Sequence, residues 1–160
     1  MWHPNFEYEQ KCRALCIYSV EYRGAAGKPG LVFGLDTGGS CQGMAFQVLE
    51  KNAPAVIYYS DESEIVTNVY CPNWEPVELT SDDLDSPTHA KAYIFVAETT
   101  HAQYAGKLSD DETIRLVNQG HGKAGTCIEY LQNTLGHLTE LGIKDPSLAR
   151  IVTKTISTKN

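Results

Sequence analysis

The first half of the chain carries short apolar runs that are separated by glycine-rich turns, a pattern typical of β-strands. Apolar and β-branched side chains mix from Cys12 to Tyr22, and Leu31 to Leu35 is a second apolar run. Apolar and polar residues then alternate from Cys41 to Leu49. We therefore predict three strands, with the glycines of Thr37 to Ser40 making a tight reversal between the second and the third.

The middle of the chain is less regular. Ala53 to Ser60 is rich in β-branched and aromatic residues, which favours a strand locally, although a helix is the alternative. Val69 to Leu79 and Ala90 to Ala97 predict two further strands. The polar segment from Ser81 to Pro87 predicts the loop between them.

The last third of the chain has helical periodicity. Ser109 is an N-cap candidate with Glu112 three residues on, so a helix is expected to begin there and to end near Gly120. A longer helix is expected from about Thr126 to Leu141, and Asp145 followed by proline opens a final amphipathic helix. One face of the longer helix is apolar: Ile128, Leu131, Leu135 and Leu138.

Composition narrows the class of protein. The 160 residues are 42% hydrophobic and 21% charged, which is ordinary for one globular domain, so we expect a single domain over residues 1–160. A net charge of -7 argues against nucleic acid as a partner. The apolar runs are too short to span a membrane, and no signal peptide opens the chain, so the cytoplasm is the expected location.

No metal site is expected. The cysteines lack paired zinc-finger spacing, and the histidines lack the helical spacing of a metalloprotease. The cysteines are Cys12, Cys16, Cys41, Cys71 and Cys127, and the histidines are His3, His89, His101, His121 and His137.

Glu64 is the residue with the clearest candidate chemistry. It is followed by five uncharged residues, so its carboxylate is expected to lie partly against apolar surface. Partial burial disfavours the charged form of a glutamate and makes it a better base for proton abstraction near neutral pH. The alternative is that Glu64 is a solvated acid that ends the acidic run from Asp61.

Three sequence blocks carry a resemblance to a known family. SEIVTNVYCPNWEPV, from Ser63 to Val77, resembles the segment of ChaC-type γ-glutamylcyclotransferases that holds their catalytic glutamate, and Glu64 matches that glutamate. The second block is similar to the family's strand-turn-strand signature: Tyr22-Arg23-Gly24, Pro29 to Val32, Gly34-Leu35-Asp36, Gly38 to Cys41, and Gly43. The third is similar to the C-terminal helical part: Tyr104-Ala105-Gly106, Gly122, Gly125, and Glu129-Tyr130-Leu131.

The resemblance implies both a fold and an activity. The fold would be α+β, a small mixed β-barrel or sheet with flanking helices and a helical C-terminal part, and Ala53 to Ser60 would be helical. The activity would be cleavage of glutathione, or another γ-glutamyl compound, to 5-oxoproline and a free amine, without metal or organic cofactor. Glu64 would be the general acid and base, Arg23 would anchor a carboxylate, and Tyr130 would form a wall with a hydroxyl. For Arg23 and Tyr130 a purely structural role stays open.

The sequence departs from the family pattern in two ways. The Tyr-Gly-Ser-Leu loop, whose amides hold the γ-glutamyl group in the family, is absent, and we expect the chain to be incomplete at its N terminus. Ser63 stands where the family has arginine before the catalytic glutamate. A catalytically inactive or regulatory binding protein of the same fold is therefore the competing hypothesis.

A glycine loop from Gly120 to Thr126 resembles a phosphate-binding loop only superficially. It lacks the spacing of a P-loop and follows a helix where a strand is required. Its backbone amides are still candidates for contact with a substrate carboxylate. Lys123 could assist them, although the alternative is that Lys123 is solvated.

Overall fold

The computed structural model describes residues 11–80 and 88–158, so the predicted loop from Ser81 to Pro87 lies outside the described residues. The strands and helices follow one another along the chain in this order: β1 (Lys11–Ser19), β2 (Gly30–Thr37), α1 (Ala53–Glu64), β3 (Tyr70–Leu79), β4 (Thr88–Ala97), α2 (Asp110–Gln119), β5 (His121–Gly122), β6 (Gly125–Thr126), α3 (Cys127–Glu140) and α4 (Pro146–Ser157). A short 3₁₀ turn, Glu50–Asn52, precedes α1.

The main sheet has the strand order β1-β2-β4-β3. The β1/β2 pair and the β3/β4 pair are each antiparallel over most of their length, and a register shift falls between Leu15 and Ile17 of β1. The two pairs meet in parallel only at Leu35 and Val96. The sheet is therefore curled and partly open between β2 and β4. This mixed α+β architecture confirms the predicted fold class.

The main core lies between β2 and the three C-terminal helices. The apolar stripe predicted for α3 faces this core, and Leu131 is fully buried. The buried members of the cluster are Leu31, Leu116, Val117, Cys127, Ile128, Leu131, Leu138, Leu148, Ile151 and Val152. Burial of this apolar surface is the main stabilising contribution to the helical part.

The helices begin where the sequence predicts. The side chain of Ser109 accepts a hydrogen bond from the Glu112 amide at the start of α2, and Asp145 caps α4 by accepting from the Leu148 amide. α3 carries a full capping box between Thr126 and Glu129.

The glycine loop is a small β5/β6 hairpin that packs against the segment after β1. The amides of Lys123 and Ala124 donate to the carbonyls of Glu21 and Tyr22, at 2.9 Å each. A Cβ atom on Gly122 would lie 2.4 Å from the Glu21 carbonyl oxygen, so only glycine permits this approach. These two amides are thus occupied by backbone partners.

One predicted strand, and the hairpin turn predicted before it, need correction. Cys41 to Leu49 forms neither strand nor helix, and all of its residues are exposed. Alternation produces a strand only where a neighbouring strand pairs with it, and none of the described strands pairs with this segment. The turn from Thr37 to Ser40 keeps one positive φ angle, at Gly38 (φ 90°), but it ends β2 without starting a hairpin. Ala53 to Ser60 lies within α1, as the resemblance implied.

Within the described ranges 11–80 and 88–158, no helix is long and apolar enough to cross a membrane.

Candidate active site

A cleft of about 350 Å³ lies where the two strand pairs separate. Two of the three predicted site residues, Glu64 and Tyr130, line it, and Arg23 does not. The remaining lining residues come from β1, β2, β3 and β4: Arg13, Phe33, Gly34, Leu35, Tyr70 and Phe95. The cleft is thus lined by one carboxylate and one guanidinium among aromatic side chains.

Glu64 reaches the cleft from the last residue of α1. The chain then turns into β3 through a hydrogen bond of 3.1 Å from the Asn68 amide to the Ile65 carbonyl. Asn68 adopts a left-handed conformation (φ 56°), which asparagine tolerates better than most residues. The expected partial burial of Glu64 is not observed: its side chain is exposed, because α1 buries none of its residues.

The neighbouring acids have different positions. Asp61 accepts a hydrogen bond of 2.8 Å from the hydroxyl of Tyr93 and so ties α1 to β4. Neither Asp61 nor Glu62 lines the cleft. Among the three acids of this helix end, Glu64 is therefore the one that lines the cleft.

Two tyrosines hold the backbone of β2 at Phe33. The Phe33 amide donates to the hydroxyl of Tyr130 at 3.3 Å, and the hydroxyl of Tyr70 donates to the Phe33 carbonyl at 2.8 Å. These bonds satisfy the backbone of β2 where β4 does not pair with it. The two tyrosine hydroxyls therefore take the place of strand pairing at this point of β2.

Both hydroxyls remain protonated at neutral pH. Burial raises the pKa of Tyr70, and the charges of Tyr130, Cys16 and Glu64 raise it further. Burial likewise raises the pKa of Tyr130. Because the Tyr130 oxygen accepts from Phe33, and no acceptor for its own proton lies among the described residues, this hydroxyl can still donate to a bound molecule.

Among the residues that the structure describes, Arg13 is the one cation that lines the cleft, and the sequence reasoning missed it. One terminal nitrogen, Nη1, lies 3.1 Å from Oδ2 of Asp145, and the other, Nη2, donates to the Gln42 carbonyl at 2.7 Å. The sequence pattern around Arg13 predicts a strand but does not identify the strand that pairs with it. The register that places Arg13 opposite Leu35, another cleft residue, appears only in the folded sheet.

Arg23 contacts Tyr130 but does not itself line the cleft. Its guanidinium donates to the backbone carbonyls of Ala124 and Thr126 and lies 5.3 Å from the ring centroid of Tyr130. This geometry is a cation–π contact that helps to fix the tyrosine ring. Arg23 is thus placed to position Tyr130, and its predicted role as a carboxylate anchor has no support from this placement.

Comparison with known proteins assigns this chain to a family. The family model described as "ChaC-like protein" matches residues 1–158. The chain belongs to the ChaC-like family. The resemblance inferred from the three sequence blocks is thereby confirmed.

Solved structures agree with the ChaC-like assignment at the level of the fold. A selenomethionine-labelled γ-glutamyl cyclotransferase specific to glutathione, from yeast, superposes with a TM-score of 0.74 at 16% identity, over 94% of this chain and 85% of the yeast chain. A second structure of a glutathione-specific γ-glutamyl cyclotransferase from yeast gives a TM-score of 0.72 at 16% identity, over 96% and 88% of the two chains. No curated protein matches the chain.

This ChaC-like chain differs from the family pattern beside Glu64. Ser63, in place of the usual arginine, is exposed, and its hydroxyl donates to the Tyr59 carbonyl one turn earlier at 2.8 Å. It therefore adds no positive charge to the cleft. Lys123 of the glycine loop forms an ion pair of 2.5 Å with Glu21 and is not among the cleft residues.

Within the described ranges of this ChaC-like chain, no three His, Cys, Asp or Glu side chains are grouped to hold a metal ion.

Proposed function

We propose that this chain is a γ-glutamylcyclotransferase that cleaves glutathione to 5-oxoproline and Cys-Gly. The observation that carries the proposal is that Glu64, in the family's glutamate motif, shares one cleft with Tyr130 of the C-terminal block. Membership of the ChaC-like family and the glutathione specificity of the two yeast enzymes support the choice of glutathione.

The proposed reaction is an intramolecular aminolysis. Glu64 takes a proton from the α-ammonium group of the γ-glutamyl unit, and the neutral amine attacks the γ-carbonyl carbon. A five-membered lactam closes as the new C–N bond forms. The bond to cysteine then breaks as Glu64 returns this proton to the departing nitrogen. The ring nitrogen loses its second proton to give the neutral lactam, and the free Cys-Gly amine takes up a proton to become an ammonium group. Nucleophile and electrophile belong to one molecule, so holding the glutamyl chain folded supplies much of the acceleration.

The tetrahedral intermediate needs a hydrogen-bond donor for its oxyanion. The donatable proton of Tyr130 is one candidate in the cleft, because the Phe33 amide fixes the position of its oxygen. The aromatic walls from Phe33, Tyr70 and Phe95 reduce access of water. No metal or organic cofactor takes part in the proposed reaction. In this proposal, residues 1–160 form one domain, which acts on a small molecule in the cytoplasm.

Release of 5-oxoproline and Cys-Gly from glutathione tests the proposal. Glu64→Gln keeps the shape of the side chain but removes its basicity, so kcat is expected to fall by about 10²- to 10⁴-fold. Because Glu64 is exposed, the free energy of unfolding is expected to change by less than about 0.5 kcal/mol.

Glu62→Gln is the matched control, because Glu62 lies two residues earlier, is exposed and does not line the cleft. We expect it to retain full activity. Equal activity in the Glu64→Gln variant would remove Glu64 from the mechanism. No 5-oxoproline from glutathione or from other γ-glutamyl amines would favour the alternative, a binding protein of the same fold, to which the exposed Ser63 also points.

A further inference from the structure

Arg13 is held in place from two sides at the edge of the cleft. Its bond to Asp145 connects β1 to the start of α4, where the same carboxylate caps the helix through a 2.9 Å bond from the Leu148 amide. Its bond to the Gln42 carbonyl fixes the other arm of the guanidinium. The side chain is only 17% exposed, so its position is set before any ligand arrives.

The guanidinium nevertheless keeps hydrogen-bonding capacity. An arginine has five N–H donors, and the bonds to Asp145 and Gln42 use two of them. The remaining N–H donors are on a side chain that lines the cleft. Its charge also acts on the Tyr130 hydroxyl, whose pKa is raised mainly by burial and lowered in part by Arg13. An anion in the cleft would therefore meet a preorganised donor.

We propose that Arg13 binds a carboxylate of the γ-glutamyl substrate and so determines substrate specificity. Glutathione carries two carboxylates, one on the α-carbon of the γ-glutamyl unit and one on glycine. A fixed guanidinium recognises a carboxylate by charge-assisted hydrogen bonds, which are stronger than bonds between neutral groups. Glu64 supplies negative charge for the ammonium group, and Arg13 supplies the complementary positive charge.

This inference rests on the proposed function, and the test separates the two. The kcat and KM for glutathione are measured for the wild type, Arg13→Gln and Arg13→Lys. Arg13→Gln is expected to lower kcat/KM by about 10- to 100-fold, mainly through KM. Arg13→Lys keeps the charge but not the planar fork, so an intermediate loss is expected.

Two analogues identify the carboxylate, each used as an inhibitor of glutathione cleavage. One is glutathione with its glycine carboxyl converted to an amide, and the other is 4-aminobutyryl-Cys-Gly, which lacks the α-carboxylate. The analogue that lacks the carboxylate bound by Arg13 is expected to have the same inhibition constant against the wild type and Arg13→Gln. A tenfold or larger weakening by Arg13→Gln should persist for the other analogue. Equal weakening for both, or no effect of Arg13→Gln on glutathione, would overturn the proposal.

Arg150→Gln is the matched control. Arg150 also pairs with an aspartate, Asp110, at 3.1 Å, but it is exposed on α4 and does not line the cleft. It should leave kcat and KM unchanged. If the wild type cleaves no γ-glutamyl compound, binding of S-methylglutathione is measured by calorimetry instead. Tenfold weaker binding by Arg13→Gln than by the wild type would support the carboxylate site. Equal binding by the two proteins, or no binding by the wild type, would overturn it.

Discussion

The two sides of the cleft are built in contrasting ways. Arg13, Phe33 and Tyr130 belong to the strand pair and helices that enclose the main core. Glu64 belongs to the segment 38–68, in which no residue is buried and α1 is attached to β4 by the Asp61–Tyr93 hydrogen bond. The proposed substrate-binding wall is thus preorganised by core packing, whereas the proposed base lies on a helix with little tertiary support.

This difference has a physical consequence. Local stability follows buried apolar contacts, so α1 is expected to open at a lower free energy than α3. Mutations of the buried core residues should therefore act on activity through folding. Mutations in the segment 38–68 should act on activity with little effect on folding. Three matched pairs of substitutions test this contrast.

The largest contrast is expected between two leucines. Leu131 is fully buried in the core, whereas Leu49 is 62% exposed. Leu131→Ala should lower the free energy of unfolding by about 2–5 kcal/mol, because transfer free energy is lost and a cavity remains. Leu49→Ala should change it by less than about 0.5 kcal/mol. Urea unfolding followed by circular dichroism measures both values, and a comparable loss in the two variants would contradict the contrast.

The second contrast is between two tyrosine hydroxyls. Tyr70→Phe removes the donor to the Phe33 carbonyl and leaves that acceptor without its partner, which should cost about 1–3 kcal/mol of unfolding free energy. It should also raise KM, because the cleft wall at Phe33 loses one of its two fixing bonds. Tyr59→Phe, at a side chain that is 73% exposed, should leave both quantities unchanged.

Denaturant unfolding and glutathione kinetics are measured on the same two preparations. If Tyr70→Phe were as stable as the wild type with an altered KM, the tyrosine would contact substrate instead of holding β2. If neither quantity changed, the bond to Phe33 would contribute nothing to the cleft.

The same contrast explains how much the sequence could predict. The capped helices of the C-terminal part were predicted almost to the residue, because Ser109 and Asp145 act on the local backbone and the apolar stripe of α3 has one face to bury. The segment from Cys41 to Leu49 was predicted wrongly, since a strand depends on a pairing partner that its own residues do not encode.

The site divides in a similar way. Glu64 and Tyr130 could be named from sequence because short motifs surround them, and both line the cleft. Arg13 could not, because its position depends on strand register and on Asp145, which is 132 residues away. The exposure of Glu64 was also missed, since uncharged neighbours in sequence do not bury a residue on a helix that packs weakly.

The smallest contrast concerns two cysteines at alkaline pH. Burial raises the pKa of the Cys16 thiol from 9.0 to about 12, with Asp36 adding to the effect. The folded state therefore holds this proton more tightly than the unfolded state. The resulting stabilisation is complete below pH 9 and is lost as the pH rises from about 9 to 12, by about 1 kcal/mol per pH unit.

Cys16→Ala should reduce the slope of unfolding free energy against pH in this window, whatever packing it loses at neutral pH. Cys41→Ala, at a cysteine that is exposed in the folded protein, is the matched control. Urea unfolding at pH 7, 9 and 10 gives the three slopes. Identical slopes for all three proteins would mean that the thiol of Cys16 reaches solvent as readily as that of Cys41. The contrast between a packed side of the cleft and an exposed side would then not hold for β1.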